Sequence, residues 1–410
     1  MSSVRGTRDL IPSEFEAVKY LFGVWRSECE RFGFSEYDLP VLESFELFEK
    51  KSGEALVNQT YNFLDKSDRR ISLRPELTPQ LGRVFLEKGK GLSKPLKWFS
   101  VPRCFRYERP QKGRLREFFQ LNADIVGSNS SQVNVEIISL AVNILKRLGL
   151  GKKDFYIKIS SRELLDIFLK DVESKSQVFG VIDDKPKIGE KDFVKRLKDL
   201  GLNKREIDWV NSFTSIKDKP SVALKKIKKL SADEKLLPVL SFFEELIKGL
   251  EYYGVLDFVI FDFSIVRGLA YYKGIVFEAF DKSEGYRSIL GGGSYFFENT
   301  PAIGFGFGDA VILEVLKEKK LIPVSDGLDF FVIMDKNTIG QGFKFVNKLR
   351  SEGFSVSYDF DFKSFDKQLS VASKFGAKKV IFLGEKEIKS GTYLLKDLSS
   401  GKQFVKSLEI

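Results

Sequence analysis

The sequence predicts a large N-terminal α+β domain followed by a small C-terminal α/β domain. A chain of 410 residues is too long for one ordinary hydrophobic core, so two or three domains are expected. In the first part, amphipathic helices are interspersed with hairpin signals. Residues 327–410 instead alternate strand and helix in the order β-α-β-α-β, which implies a mostly parallel sheet with right-handed crossovers.

The first element is an amphipathic helix over residues 13–32. Ser13 and Glu16 have the spacing of a capping box, and Gly33 ends the helix. Its apolar side chains fall on one face: Val18, Leu21, Trp25, Cys29 and Phe32.

Extended and helical segments then follow in turn. Residues 37–43 are predicted to be extended and include Pro40. Taken by themselves, these residues are typical of an ordinary edge strand. Residues 59–73 have the pattern of a hairpin, and residues 131–148 that of an amphipathic helix. Residues 165–245 are predominantly helical and rich in lysine.

Strand signals return near residue 256, and the glycine content rises. The predicted elements and glycine runs are strands at 256–263 and 270–280, glycine runs at 291–293 and 304–308, a helix at 309–318 and a linker at 323–327. The last part is predicted to contain strands at 330–334, 355–359 and 379–383, helices at 338–351 and 364–375, and a closing hairpin at 393–405.

The composition excludes several classes of chemistry. The chain contains no histidine, which removes catalytic triads and metal sites that depend on this residue. Two cysteines, Cys29 and Cys104, cannot build a disulfide framework or a zinc site. No apolar run approaches the roughly 20 residues that span a bilayer, and the N-terminus lacks a secretory signal, so we expect a cytoplasmic protein. A net charge of +10 is compatible with a polyanionic partner.

The most informative segment is residues 105–120, FRYERPQKGRLREFFQ. We expect two antiparallel strands joined by a basic loop at 110–113, with Arg106 and Glu108 on one face. Guanidinium groups suit phosphate oxygens, and carboxylates suit amino groups, so the pattern is compatible with a nucleotide polyphosphate. From the residues alone, a solvated basic hairpin remains the alternative.

This segment closely resembles motif 2 of the class II aminoacyl-tRNA synthetases, in the form found in histidyl-tRNA synthetases. Residues 74–78 (RPELT) resemble a second signature, and residues 267–272 (RGLAYY) resemble the signature RGLDYY that is peculiar to the histidyl enzymes. The resemblance covers nearly the whole chain and is weakest across 165–245. It implies a class II catalytic domain over 1–325, with an antiparallel sheet flanked by helices and a helical insertion at about 165–245. It also implies an anticodon-binding α/β domain over 327–410.

The same resemblance implies the roles of individual residues. The catalytic residues would be Arg267 and Arg106. Histidine would be bound by Glu76, Thr78, Arg106, Gln120, Asp124, Arg267, Tyr271, Tyr272 and Tyr295. ATP would be bound by Arg106, Glu108, Arg114, Phe118 and Arg267, with Lys112 near the phosphates and the tRNA acceptor end. Among these, Asp124 and Tyr272 would face the two imidazole nitrogens. Mg²⁺ is expected only as part of the ATP complex, with no metal site made by protein side chains.

The implied function is that of a histidine–tRNA ligase, which activates L-histidine with ATP and transfers it to the 3′ end of tRNA-His. Residues 37–43 resemble motif 1, which implies a homodimer. Four positions depart from the family pattern: Ala270, Ser294, Val311 and Phe119. Val311 stands where motif 3 usually supplies the arginine for the γ-phosphate, so more phosphate charge is expected to fall on Arg106, Arg114 and Arg267.

The alternative is a catalytically silent paralogue that senses histidine or tRNA, of the kind that regulates ATP phosphoribosyltransferase. Such regulatory subunits usually lack the C-terminal domain, so residues 327–410 argue against this alternative. Retention of the basic hairpin also favours an active ligase.

Overall fold

The computed structural model describes residues 3–170, 172–185, 188–230, 233–265, 272–283, 285–323 and 327–408. The chain divides into two compact units, Met1–Ile322 and Pro323–Ile410. None of the helices in these described ranges is long and apolar enough to cross a membrane.

The first unit combines helices with short and long strands. Its helices are α1 (Pro12–Arg31), α2 (Phe45–Lys51), α3 (Glu54–Val57), α4 (Thr78–Lys88), α5 (Ser131–Arg147), α6 (Arg162–Phe168), α7 (Lys175–Asp184), α8 (Glu190–Asp199), α9 (Lys204–Thr214), α10 (Pro220–Leu230), α11 (Leu237–Tyr252) and α12 (Asp309–Glu318). Its strands are β1 (Ser35–Glu36), β2 (Leu42–Ser44), β3 (Tyr61–Leu64), β4 (Arg70–Leu73), β5 (Leu96–Ser100), β6 (Arg103–Phe105), β7 (Glu117–Val126), β8 (Phe155–Ser161), β9 (Lys217–Asp218), β10 (Val259–Asp262), β11 (Ile275–Asp281), β12 (Leu290–Phe297) and β13 (Thr300–Gly308).

The main sheet of this unit has ten strands and is largely antiparallel. Its order is β1-β5-β7-β13-β12-β11-β8-β10-β9, and β6 also pairs with β7. Two of these pairings are parallel, β1 with β5 and β8 with β10. A separate three-stranded antiparallel sheet has the order β2-β4-β3. This arrangement confirms the α+β class predicted for the larger part of the chain.

Strand β13 shows how the sequence gives the main sheet two different faces. Successive side chains of a strand point to opposite sides. Phe305 and Phe307 therefore point together into the hydrophobic core, where the Phe307 ring lies 5.2 Å from that of Trp25 on α1. The glycines that alternate with them leave the other face open, and a cavity lies over this face.

Helix α1 confirms the predicted stripe but corrects its start. Val18, Leu21, Trp25 and Cys29 are buried, as predicted. The helix begins at Pro12, and its N-terminus has no side-chain cap, so the capping box was wrong; a proline at this position already has the backbone angle that a helix needs. Gly33, at φ +73°, follows the helix end as predicted.

The second unit has the predicted alternation of strand and helix. Its elements are β14 (Phe330–Met334), α13 (Ile339–Ser351), β15 (Val356–Tyr358), α14 (Phe365–Lys374), β16 (Lys379–Leu383), α15 (Glu385–Ser390), β17 (Thr392–Asp397) and β18 (Gln403–Ser407). The sheet order is β15-β14-β16-β17-β18. The first three strands are parallel, and β17 and β18 form the closing hairpin.

Candidate functional site

One face of β7 carries polar side chains at every second position. Gln120, Asn122 and Asp124 share this face, whereas the intervening Leu121 and Ala123 are buried in the core. A ten-residue strand thus separates a polar site from an apolar core by alternation alone.

Glycines on the neighbouring strand make room for these polar groups. Gly304 is paired with Asp124 in the sheet register, and Gly306 with Asn122. A Cβ atom on Gly304 would lie 2.0 Å from the Asp124 carboxylate, and one on Gly306 would lie 2.4 Å from Nε2 of Gln120. Only glycine fits at these two positions while the polar side chains keep their places.

An inner cavity of about 140 Å³ lies above this glycine floor. Its polar and aromatic lining consists of Glu76, Thr78, Arg106, Gln120, Asn122, Asp124, Tyr272 and Tyr295. The structure therefore brings together all of the predicted histidine-binding residues that it describes. Arg267 and Tyr271, and the departure Ala270, lie outside the described residues.

Asp124 is a strongly perturbed group in the inner cavity. Its side chain is buried, and its Oδ1 atom accepts a hydrogen bond from the Tyr295 hydroxyl. Its Oδ2 atom has no hydrogen-bond partner among the described residues. Burial raises the pKa of Asp124 to about 7, although the Tyr295 hydrogen bond opposes the shift. The cavity thus holds a carboxylate oxygen that lacks a donor.

The segment before α4 holds the other end of the cavity in place. The buried Arg74 donates from Nε to the Arg103 carbonyl at 2.9 Å, and its Nη1 lies 3.2 Å from the Asp38 carboxylate. Glu76, two residues on, accepts a 2.7 Å hydrogen bond from the Ser52 hydroxyl. The RPE segment is therefore fixed from both sides.

An outer cleft of about 170 Å³ adjoins the inner cavity. Arg106, Glu108, Arg114 and Phe118, the predicted ATP-binding residues that are described, all line it. Glu108 forms an ion pair with Arg114, and the Arg106 guanidinium lies 5.3 Å from the centre of the Phe118 ring.

Arg106 lines both the inner cavity and the outer cleft. Its Nε atom donates to the Pro75 carbonyl at 2.9 Å, which fixes the side chain between the two spaces. A ligand group in either space would meet the same guanidinium.

The predicted antiparallel pair of strands is present as β6 and β7, but the loop between them is longer than the predicted 110–113. β6 ends at Phe105 and β7 begins at Glu117, so residues 106–116 form a loop. The Tyr107 N–H donates to the Gln59 carbonyl at 2.7 Å, and this bond to a distant segment draws the chain away from the β7 ladder. The predicted turn is present at the loop tip, where Gln111 and Arg114 exchange two backbone hydrogen bonds.

The positions that depart from the family pattern have apolar or local partners. Val311, in the first turn of α12, lines the outer cleft beside the loop tip. The Phe119 ring packs edge-on against Phe22 at 4.9 Å. The Ser294 hydroxyl lies 3.3 Å from the Asn134 amide oxygen, on the face of β12 opposite Tyr295.

Asn122 is a site residue that the sequence reasoning missed. It is buried in the inner cavity, and its amide oxygen has no hydrogen-bond partner in the part of the chain that is described. The signal was available, because Asn122 lies between Gln120 and Asp124 at the two-residue spacing of a strand.

Comparison with known proteins shows the family of the chain. A sequence profile described as histidyl-tRNA synthetase matches residues 6–309, and one described as an anticodon binding domain matches residues 321–409. The chain belongs to the histidyl-tRNA synthetase family.

Individual relatives align with this chain over nearly its full length and theirs. A curated histidine–tRNA ligase from Leptospira biflexa is 37% identical, over 98% of this chain and 94% of its own. The crystal structure of histidyl-tRNA synthetase from Nostoc sp. PCC 7120 superposes with a TM-score of 0.84 at 23% identity, covering 99% of this chain and 96% of that chain.

A third relative bears on the regulatory alternative. A structure titled as an ATP phosphoribosyltransferase regulatory subunit/histidyl-tRNA synthetase from Bacillus halodurans has a TM-score of 0.79 at 22% identity, covering 94% of this chain and 100% of that chain. Identity this low shows the fold alone.

The predicted family, class II fold and enzyme class are confirmed: the chain is an aminoacyl-tRNA synthetase.

Proposed function

We propose that this synthetase activates L-histidine with Mg-ATP and transfers the histidyl group to the 3′ end of tRNA-His. Residues 1–325 would form the catalytic domain, and residues 327–410 would bind the anticodon in the cytoplasm. The observation that carries the proposal is the position of Arg106, which lines both the inner cavity and the outer cleft.

The inner cavity suits free histidine. Glu76 and Gln120, with Thr78, offer oxygen acceptors for the α-ammonium group. The partnerless Oδ2 atom of Asp124 can accept a hydrogen bond from an imidazole N–H, and Tyr272 lines the same cavity for the second ring nitrogen. A site built around such polar partners rejects apolar side chains by about 10⁴ or more.

The outer cleft suits the nucleotide. Glu108 can accept hydrogen bonds from the adenine amino group, and the Phe118 ring can stack on the base. Arg106 and Arg114 supply charge for the phosphates. Mg²⁺ would enter with ATP, and no cluster of three or more acidic or thiol groups that could hold a metal is found in the described ranges.

The reaction then follows from the juxtaposition of the two spaces. A carboxylate oxygen of histidine attacks the α-phosphorus, the bond to the β-phosphate oxygen breaks, and pyrophosphate leaves. Arg106 lines both spaces, so it would contact both partners and could offset the charge that develops on the α-phosphate. We assign the same role to Arg267 from the resemblance. The tRNA ribose hydroxyl next attacks the acyl carbon, and AMP leaves.

We also propose that the protein is a homodimer. Leu42 and Phe63 lie on the same face of the three-stranded sheet, together with Ile71, as the strand register requires. Leu42 is 47% exposed and Phe63 is 48% exposed. An apolar sheet face left open in this way is a suitable contact surface for a second copy.

Histidine-dependent ATP–pyrophosphate exchange, followed by charging of tRNA-His, tests the function. The proposal requires both activities in the wild-type protein. Histidine binding without exchange would support the silent paralogue instead. Arg267→Ala is expected to reduce turnover far more than histidine affinity, and an equal effect on both would mean that its role is misassigned.

A further inference from the structure

Arg287 lies at the rim of the outer cleft and has no assigned role. It directly precedes residues 288–290, which line the cleft. With the Gln111 amide oriented so that its oxygen faces the guanidinium, this oxygen accepts hydrogen bonds from Nε at 3.2 Å and Nη2 at 2.6 Å of Arg287. Lys112 is held nearby, with its ammonium 4.6 Å from the centre of the Tyr286 ring. The tip of the 106–116 loop is therefore docked against the segment that carries Arg287.

The charges around the cleft are unbalanced in favour of an anion. Arg106, Arg114 and Arg287 lie close enough for the charges of the other two to act on Arg114, whose pKa is lowered mainly by burial and further by these like charges. Glu108, the only carboxylate in the described lining, is already paired with Arg114. No carboxylate in the described part of the chain pairs with Arg287. Neighbouring guanidinium groups that outnumber the carboxylates beside them are suited to a polyphosphate.

The wall beside the loop tip is apolar at position 311. Val311 projects towards the tip, where its Cγ2 atom would lie 2.9 Å from a Cβ atom on Gly113. The valine thus fills this corner of the cleft and offers no hydrogen-bond donor. The guanidinium of Arg287, which contacts Gln111 at the same loop tip, is a hydrogen-bond donor close to this corner.

We propose that Arg287 binds the β- and γ-phosphates of ATP and supplies the charge that position 311 does not. The inference rests on the proposed ligase function, and it adds a substrate-binding residue outside the motifs that identify the family. Arg287 belongs to the loop between β11 and β12, which contacts the tip of the 106–116 loop, so the two loops would border the phosphates together.

Steady-state ATP–pyrophosphate exchange with Arg287→Ala gives the first test. We expect kcat/KM for ATP to fall about 10- to 150-fold, the effect of losing a hydrogen bond to a charged group. KM for histidine should change less than about threefold. Arg205→Ala, which removes an exposed arginine of α9, is the matched control and should behave like the wild type.

A second measurement tells whether Arg287 binds the phosphates or only holds the loop in place. A sulfamoyl analogue of histidyl-adenylate lacks the β- and γ-phosphates, so its Kd should be the same for the wild type and for Arg287→Ala. Introducing Val311→Arg into the Arg287→Ala variant should restore at least tenfold of the lost kcat/KM for ATP, because it returns a guanidinium to the wall beside the loop tip.

Each possible result supports or overturns one of two proposals, the function itself or the role of Arg287. Wild-type protein without exchange would overturn the proposed function itself. Active wild type with Arg287→Ala within twofold of it, or with the analogue weakened in parallel with ATP, would overturn the role of Arg287 alone. If Val311→Arg prevents folding, the role of Arg287 is still tested by comparing the effect of Arg287→Ala on kcat/KM for ATP with its effect on the Kd of the analogue.

Discussion

Asp124→Asn should weaken catalysis and strengthen the fold at the same time. The carboxylate is buried, and one oxygen has no donor in the described residues, so the proposed imidazole N–H is the partner that it lacks. Losing a hydrogen bond to a charged group costs about 1.5–3 kcal/mol, which is about a 10- to 150-fold fall in kcat/KM for histidine. ATP–pyrophosphate exchange assays at saturating ATP measure this fall in kcat/KM for histidine directly.

The stability effect follows from the pKa of Asp124, which burial raises to about 7. Between the ordinary value near 3.8 and 7, the unfolded chain loses this proton while the folded chain keeps it. The folded state therefore binds more protons, and its stability falls as the pH rises through this range. At pH 8 the buried charge costs the unliganded fold about 4 kcal/mol, a cost that asparagine does not carry.

Urea unfolding of the two proteins at several pH values measures this difference. We expect Asp124→Asn to be the more stable protein at pH 8, by at most about 4 kcal/mol, and the gap to shrink to about 1 kcal/mol at pH 4.5. Asp192→Asn, at an exposed position of α8, is the control and should show neither effect. A gap that stays constant with pH, or an unchanged kcat/KM for histidine, would refute the reasoning.

Three further predictions concern packing, charge and assembly. Gly304→Ala should reduce exchange more than about 100-fold, because its Cβ atom would strike the carboxylate beside it, whereas Gly23→Ala, in open space on α1, should raise stability by about 0.5–1 kcal/mol. Arg8→Ala should destabilise the fold by about 3 kcal/mol at pH 7, because it leaves the fully buried Asp309 unpaired; urea unfolding should show a smaller loss at pH 5, since burial raises the pKa of that carboxyl group. Phe63→Asp should give a monomer in sedimentation experiments, and a dimer that survives this change would place the interface elsewhere.

The sequence was sufficient to predict the elements whose structure depends on neighbouring residues. The predicted helix at 309–318 coincides with α12, because the chain changes there from alternating glycine and phenylalanine to a helical pattern. The same holds for the C-terminal strands, whose apolar runs are bounded by polar turns.

Distant contacts account for the errors. The loop at 106–116 takes its path from a bond between Tyr107 and Gln59, which no local pattern reveals. Most of the site was reached through the family resemblance, since separate strands and the RPE segment contribute to it. Arg287 was not reached, because an exposed arginine in a loop has no sequence signature of its own.

The alternation of glycine and phenylalanine in β13 also links the shape of the inner cavity to the correct register of the strand. A shift of the strand by one residue would exchange its faces, placing Phe305 and Phe307 on the floor of the substrate site and glycines in the core. Such a molecule would lose its substrate site and its stability in one step. A misregistered strand therefore cannot give a stable enzyme of relaxed specificity, because the same shift that reshapes the cavity also empties the core.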